Sequence, residues 1–278
     1  MIRRFFGSRS WVIARTDLAQ LRQSRDFWLP MLILAALFFV VIPGLLLLML
    51  TNISTIDTAQ QLGQVVDTIG GEVKASAQAA SPDPEVQAAY ALAVYLIAPL
   101  ALVIPLTVSS AVGSNTIIGE RERGTGEFLA HSPATEREIY FGKLIASLLP
   151  GYITAFIGFA VYAIVVNSIV GPKVGRVFFP TTAWWVFFFC VLPPFIAFGM
   201  AIILNISARV SSAAAAQQAS SLVTLPLILL AYGITGGGLS SSPWVSVLLG
   251  AFGWVVAIFA LRRGVSAVRR ERLLGLGS

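Results

Sequence analysis

Apolar residues in this chain gather into six runs, at residues 28–50, 89–113, 142–168, 183–206, 219–236 and 243–261. A helix needs roughly 20 consecutive apolar residues to cross the hydrocarbon core of a bilayer, and every run approaches that length. The pattern therefore predicts an all-α polytopic membrane protein with six transmembrane helices. The fifth run is the shortest and ends in glycine-rich sequence. The first is expected to stay in the mature chain, because it is longer than the apolar core of a cleavable signal peptide and follows an arginine-dotted stretch.

The segments between the runs carry their own periodicity. Within residues 1–27, Trp11, Ala14, Leu18 and Leu21 fall on one helical face with Arg15 and Arg22 beside them, while Thr16, Gln20, Gln23 and Ser24 lie opposite. That arrangement predicts an interfacial helix whose arginines reach the headgroups. Within residues 51–88, Ile56, Ala59, Leu62, Val66, Ile69 and Val73 recur every three or four positions. They predict an amphipathic helix ending at or shortly after Gly70–Gly71, with Ser81-Pro82-Asp83-Pro84 opening the second span.

Residues 115–141 differ from everything around them. From Gly119 the chain reads GERERGTGEFLAHSPATEREI. One charged residue at the centre of a membrane helix costs roughly 2.5–3.5 kcal/mol, so a stretch this dense in charge lies outside the bilayer. Glu120 and Arg123 are three apart, and Arg123 and Glu127 four apart, spacings that favour a short helix. Pro133 interrupts it, and Thr135-x-x-Glu138 has the form of a capping box opening a second helix into the third span. Phe128 and Leu129 stand as an apolar pair among the charges. On physics alone, a solvated connector explains the stretch equally well.

Composition agrees with the membrane assignment. Hydrophobic residues make up 56% of the chain and charged residues 12%, about half the charge of an ordinary soluble domain. Of the 19 Lys and Arg, sixteen fall in the N-terminal tail, the second and fourth connections and the tail 262–278. Only Lys74, Lys173 and Arg176 fall on the other side. The positive-inside rule places both termini and the charged connection in the cytoplasm, and it accounts for the basic character without nucleic acid. Nothing resembles an organelle-targeting segment, so the expected location is the plasma membrane of a prokaryote.

Candidate chemistry is sparse. The single Cys190 excludes an internal disulfide framework. No G-x-x-x-x-G-K-[ST] occurs, so the chain has no phosphate-cradling loop of its own. Charged residues touch the six runs only at their edges, which leaves no obvious place for a coupling ion. The single histidine, His131, lies in the charged connection, and an intramembrane enzyme is disfavoured. Tyr152, Asn167, Asn205 and Thr224 are the candidate path-lining or helix-packing residues.

The pattern Ile117-x-Gly119-Glu120-Arg121-Glu122-x-Gly124-Thr125-x-Glu127-x-Leu129-x-x-x-Pro133, followed by Glu138-Ile139 and Gly142-Lys143, resembles the signature of permease subunits of type-2 ABC exporters (ABC-2). That resemblance implies one transmembrane permease domain over residues 1–278, with an N-terminal elbow helix and a cytoplasmic coupling helix between spans two and three. It implies that Glu120, Arg121, Glu122, Gly124, Thr125, Glu127, Phe128 and Leu129 contact or position a separate ABC ATPase, with Leu129 as the apolar knob. Gly126 departs from the family pattern, which usually has an apolar residue there. The expected complex is two permease chains, identical or homologous, above two ATPases. ATP and Mg would bind the ATPases, with no cofactor or metal on this chain, and the cargo would be apolar or amphipathic (a drug, lipid or peptide). The alternative is a passive channel or membrane scaffold without ATP coupling.

Overall fold

The computed structural model describes residues 8–52, 71–97, 103–210, 212–233 and 243–265, and these residues are helical with short connections and no strand. Helix α1 (Arg9–Gln23) opens at Ser8, whose Oγ accepts the Trp11 amide at 3.3 Å. Helix α2 runs through Arg25–Ala36, a π-helical turn Leu37–Val41 and Ile42–Asn52. Next come α3 (Gly71–Ala80), α4 (Pro84–Ala91 continuing as the π turn Leu92–Ile97), α5 (Val103–Glu122) and α6 (Gly126–Ala130). The order closes with α7 (Glu136–Ile169), α8 (Gly171–Val174), α9 (Thr182–Val186, the π turn Phe187–Val191 and Leu192–Ser207), α10 (Ala213–Gly233) and α11 (Pro243–Gly264).

Two of the π turns have a local cause. Proline has no amide proton, so Pro43 and Pro193 cannot serve the carbonyls of Phe39 and Phe189 four residues earlier. The ladder shifts register just ahead of each: the Ile42 amide donates to Leu37 O and the Leu192 amide to Phe187 O, both five residues back. Carbonyls in the π turns of α9 and α4 are taken by aromatic donors on other helices. Tyr152 Oη donates to Phe188 O at 3.2 Å, and Tyr162 Oη and Trp184 Nε1 donate to Ala93 O and Val94 O, at 2.6 and 3.0 Å, in the π turn of α4. In an apolar surround an unpaired carbonyl is costly, so these donors stabilise the irregular turns.

Helix α7, 34 residues long, is the central post. It packs against α1, α2, α5 and α9, and α9 in turn against α5, α10 and α11. Outward faces are apolar: Leu29, Leu32 and Ile33 on α2 and Leu248, Phe252 and Val255 on α11 are mostly exposed. Among the described residues, four helical stretches are long and apolar enough to cross a membrane: Phe27–Thr51, Glu136–Ile169, Thr182–Ser207 and Val247–Gly264. The chain is thus an all-α multi-pass membrane protein.

The six predicted runs compare with these helices as follows. Runs one, three, four and six fall within the four qualifying helices or overlap them closely. The predicted second span divides between α4 and α5, and residues 98–102 lie outside the described residues. The fifth corresponds to α10, which begins six residues earlier than predicted and carries Gln217 and Gln218 in its first half. The amphipathic helix read from Ile56 to Val73 lies mostly outside the described residues, as does most of the basic tail. Its expected end at or shortly after Gly70–Gly71 falls at the edge of the described residues, where helix α3 (Gly71–Ala80) begins. The segment EVKASAQAA is alanine-rich and favours helix, and Val73 and Ala77 are buried.

Candidate functional site

The charged connection forms a hairpin between α5 and α7. Helix α5 ends at Glu122, and Gly124 adopts φ +71°, a left-handed conformation that suits glycine at a helix C-terminus. The Thr125 amide returns to Glu120 O at 2.9 Å, closing the end of α5. A sharp break therefore occurs at Gly124 as well as near Pro133. It separates Arg123 from Glu127, which the spacing had placed on one helix.

Helix α6 has only five residues, too short to hold itself in water. Its ends are tied instead. The His131 amide donates to Glu127 O at 3.0 Å, and His131 Nδ1 donates to the same carbonyl at 2.8 Å. Ser132 Oγ donates to Leu129 O at 2.8 Å. The predicted capping box is present: the Thr135 amide donates to Glu138 Oε2 at 2.8 Å and the Glu138 amide to Thr135 Oγ1 at 3.3 Å. From α1, Arg9 Nη1 donates to Pro133 O at 2.6 Å and sits 3.9 Å from Glu138 Oε2.

The side chains divide into an inner and an outer set. Gly126 and Ala130 are buried, and Leu129 is half-buried against the core. Phe128 is 81% exposed and stands as the apolar tip, the place the sequence had given to Leu129. Glu122, Gly124, Thr125 and Glu127 are exposed around it. The Arg121 side chain lies outside the described part of the structure.

Glu120 belongs to the inner set. Its Oε1 makes an ion pair with Lys143 Nζ, and Asp17 Oδ2 approaches the same ammonium at 3.0 Å. The Lys143 side chain is only 2% exposed. One buried cation thus joins α1, α5 and α7. Asp17 had not been singled out, although an acid between Ala14 and Leu21 on the inward face of α1 signals a buried partner. Beside this triad a cavity of about 270 Å³ opens between α1 and α5.

The four candidate path residues are occupied in packing. Asn167 Nδ2 donates to Ala163 O at 2.8 Å and Phe179 O at 2.5 Å, and its Oδ1 accepts the Phe178 and Phe179 amides at 3.0 and 3.2 Å. Asn205 and Thr224 donate to carbonyls one turn back, Ala201 O at 3.2 Å and Ser220 O at 2.9 Å. Tyr152, bound to Phe188 O, borders an apolar groove of about 440 Å³ with Pro193, Ile196 and Trp254.

A family model described as "ABC-2 family transporter protein" matches residues 11–274. No curated protein matches the chain.

Proposed function

The chain belongs to the ABC-2 transporter family, a membrane transport component that is not itself catalytic, and from that premise we propose that it is the permease subunit of an ATP-driven exporter, driven through the α5–α7 hairpin. Helix α6 acts as the coupling helix and Phe128 as the side chain that enters a cleft on a separate ABC ATPase. Helices α2, α4–α5, α7, α9, α10 and α11 supply six spans, with both termini in the cytoplasm of a prokaryote. Two such chains above two ATPases enclose the route, ATP and Mg reside on the ATPases, and the cargo is apolar or amphipathic.

The observation that carries this proposal is a phenylalanine 81% exposed at the tip of a hairpin whose every flank is tied down. Aromatic side chains, Phe among them, are enriched at the cores of protein interfaces. A solvated connector has no reason to hold one in place, whereas a docking element does. The exposed acids Glu122 and Glu127 would set register at the rim and contribute less to affinity. On this geometry Glu120 acts indirectly, by positioning the end of α5.

Phe128→Asp should abolish copurification of a cognate ABC ATPase co-expressed with this chain while leaving membrane insertion and folding intact. Truncating a central aromatic anchor typically costs 2 kcal/mol or more, roughly thirtyfold in affinity. Leu129→Asp, in contrast, should lower the thermal stability of the permease itself. Undiminished ATPase recovery with Phe128→Asp in a folded permease would refute the docking assignment.

A further inference from the structure

The cavity beside the Lys143 triad has an unbalanced charge. Two carboxylates, Asp17 and Glu120, face one ammonium, so the inner wall carries a net charge of −1 by formal count. Glu120 Oε2 is buried and has no hydrogen-bond partner in the protein. Among the described residues, Lys143 is the one cation paired with these two acids. The other cation lining the cavity, Arg123, sits toward the exposed end of α5. Its guanidinium folds back on Gly119, with Nη1 3.4 Å from where a Cβ would stand. Buried charges persist when they are matched, and a negative inner wall beneath a positive rim matches a ligand with the opposite polarity.

The position narrows the ligand further. Phe27, where the first membrane-crossing stretch begins, lines the cavity together with Leu21 and Val112. The cavity therefore lies at the level of the lipid headgroups, with an apolar edge continuous with the start of a span. Asn115 and Gln20 add amide oxygens to the polar wall. We propose that this cavity holds the headgroup of a zwitterionic phospholipid bearing a primary amine, with the ammonium toward Asp17 and Glu120 and the phosphate toward Arg123. A primary ammonium presents three N–H donors to such a wall. A quaternary ammonium presents none and is held instead by aromatic cages, and Phe27 alone does not form one. The assignment stands independently of ATP coupling, resting only on the span that begins at Phe27.

The test uses the full chain in nanodiscs of equimolar phosphatidylethanolamine and phosphatidylcholine, released into detergent, with retained lipid counted by native mass spectrometry. Phosphatidylethanolamine should be retained in roughly tenfold preference, as charge-assisted hydrogen bonds to carboxylates allow. Ala111→Phe fills the cavity without touching the triad and should abolish that preference while the protein keeps its melting temperature. Arg123→Gln, which removes the contact to the phosphate, should lower the amount of phosphatidylethanolamine retained severalfold. Equal retention of the two lipids, or a preference that survives Ala111→Phe, would overturn the proposal. So would stabilisation by water-soluble glycerophosphoethanolamine equal to that by the lipid, since the site would then belong to a soluble ligand.

Discussion

Removing the ammonium of Lys143 tests how the hairpin is rooted. Lys143→Met keeps the length and apolar stem of the side chain and deletes its charge. Two carboxylates then face each other without a cation, with side chains only 17% (Asp17) and 13% (Glu120) exposed. Breaking a buried ion pair from one side costs about 3–5 kcal/mol. Here both acids keep some solvent contact and the adjacent cavity can admit water, so the lower part of that range, about 3–4 kcal/mol, is expected. For a chain of this size such a loss corresponds to a fall in melting midpoint on the order of 5–15 °C. Heating the detergent-solubilised protein and following the monodisperse peak by size exclusion reads that shift, with the exposed Arg22→Gln as a control expected to stay near wild type. Neutralising the partners should repair the damage. Asp17→Asn and Glu120→Gln placed on top of Lys143→Met should recover most of the midpoint, because a neutral polar cluster carries no unpaired charge. If Lys143→Met melts with wild type, or if the triple variant is no more stable than the single one, the triad does not hold α1, α5 and α7 together.

Two further outcomes follow from geometry already described. At Gly142 a Cβ would stand 2.9 Å from Ile13 Cβ and Ser10 O, so Gly142→Leu should lift α1 from α7 at a cost of about 1–3 kcal/mol; trypsin should then cut at Arg15 and Arg22 faster than in wild type, and an unchanged digestion rate would contradict this packing. In a Cys190→Ala background, Ser76→Cys should react with an impermeant maleimide from outside intact cells and Ser132→Cys only after permeabilisation; the reverse labelling would invert the proposed orientation and remove the hairpin from any cytoplasmic ATPase.

What the sequence revealed depended on how local the cause was. Four of the six apolar runs reappear within a few residues as helices of membrane-crossing length, because composition and periodicity act over one helix. The Thr135–Glu138 capping box was equally legible, being a three-residue interaction. The break at Gly124 was missed although glycine after a run of helix formers is its usual mark; the charge spacings across it suggested continuity instead. Which apolar residue of α6 points outward could not be read, since five residues give too little periodicity to define a face. Phe128 and Leu129 are distinguished only by the core that Leu129 touches. The triad was out of reach for a different reason: Lys143 lies 126 residues from Asp17 and 23 from Glu120, and no local pattern joins them. The same holds for the aromatic donors that satisfy the π-turn carbonyls.

A push delivered at Phe128 would have to leave the hairpin through rigid elements, and the tethers suggest the route. A five-residue helix cannot carry load alone, so displacement passes to α5 through the Thr125–Glu120 closure and to α7 through the capping box and the Arg9 clamp. Helix α7 is 34 residues long, about 50 Å at 1.5 Å per residue, enough to carry motion past the far side of a bilayer core about 30 Å thick. At that end Asn167 grips the Phe178–Phe179 backbone with both ends of its amide, tying α7 to the segment that leads into α9. Asn167→Leu removes that grip at a point remote from the hairpin. It leaves two amides and a carbonyl without their partner, about 1–3 kcal/mol for each that stays buried and unpaired, so folding is measured alongside transport. The expected result, in liposomes holding the permease and its ATPase, is normal ATPase recovery with cargo export reduced severalfold, because α7 would then move without drawing α9 along. Undiminished export by a correctly folded Asn167→Leu protein would mean that the displacement leaves α7 before residue 167, through its contacts with α5 and the middle of α9.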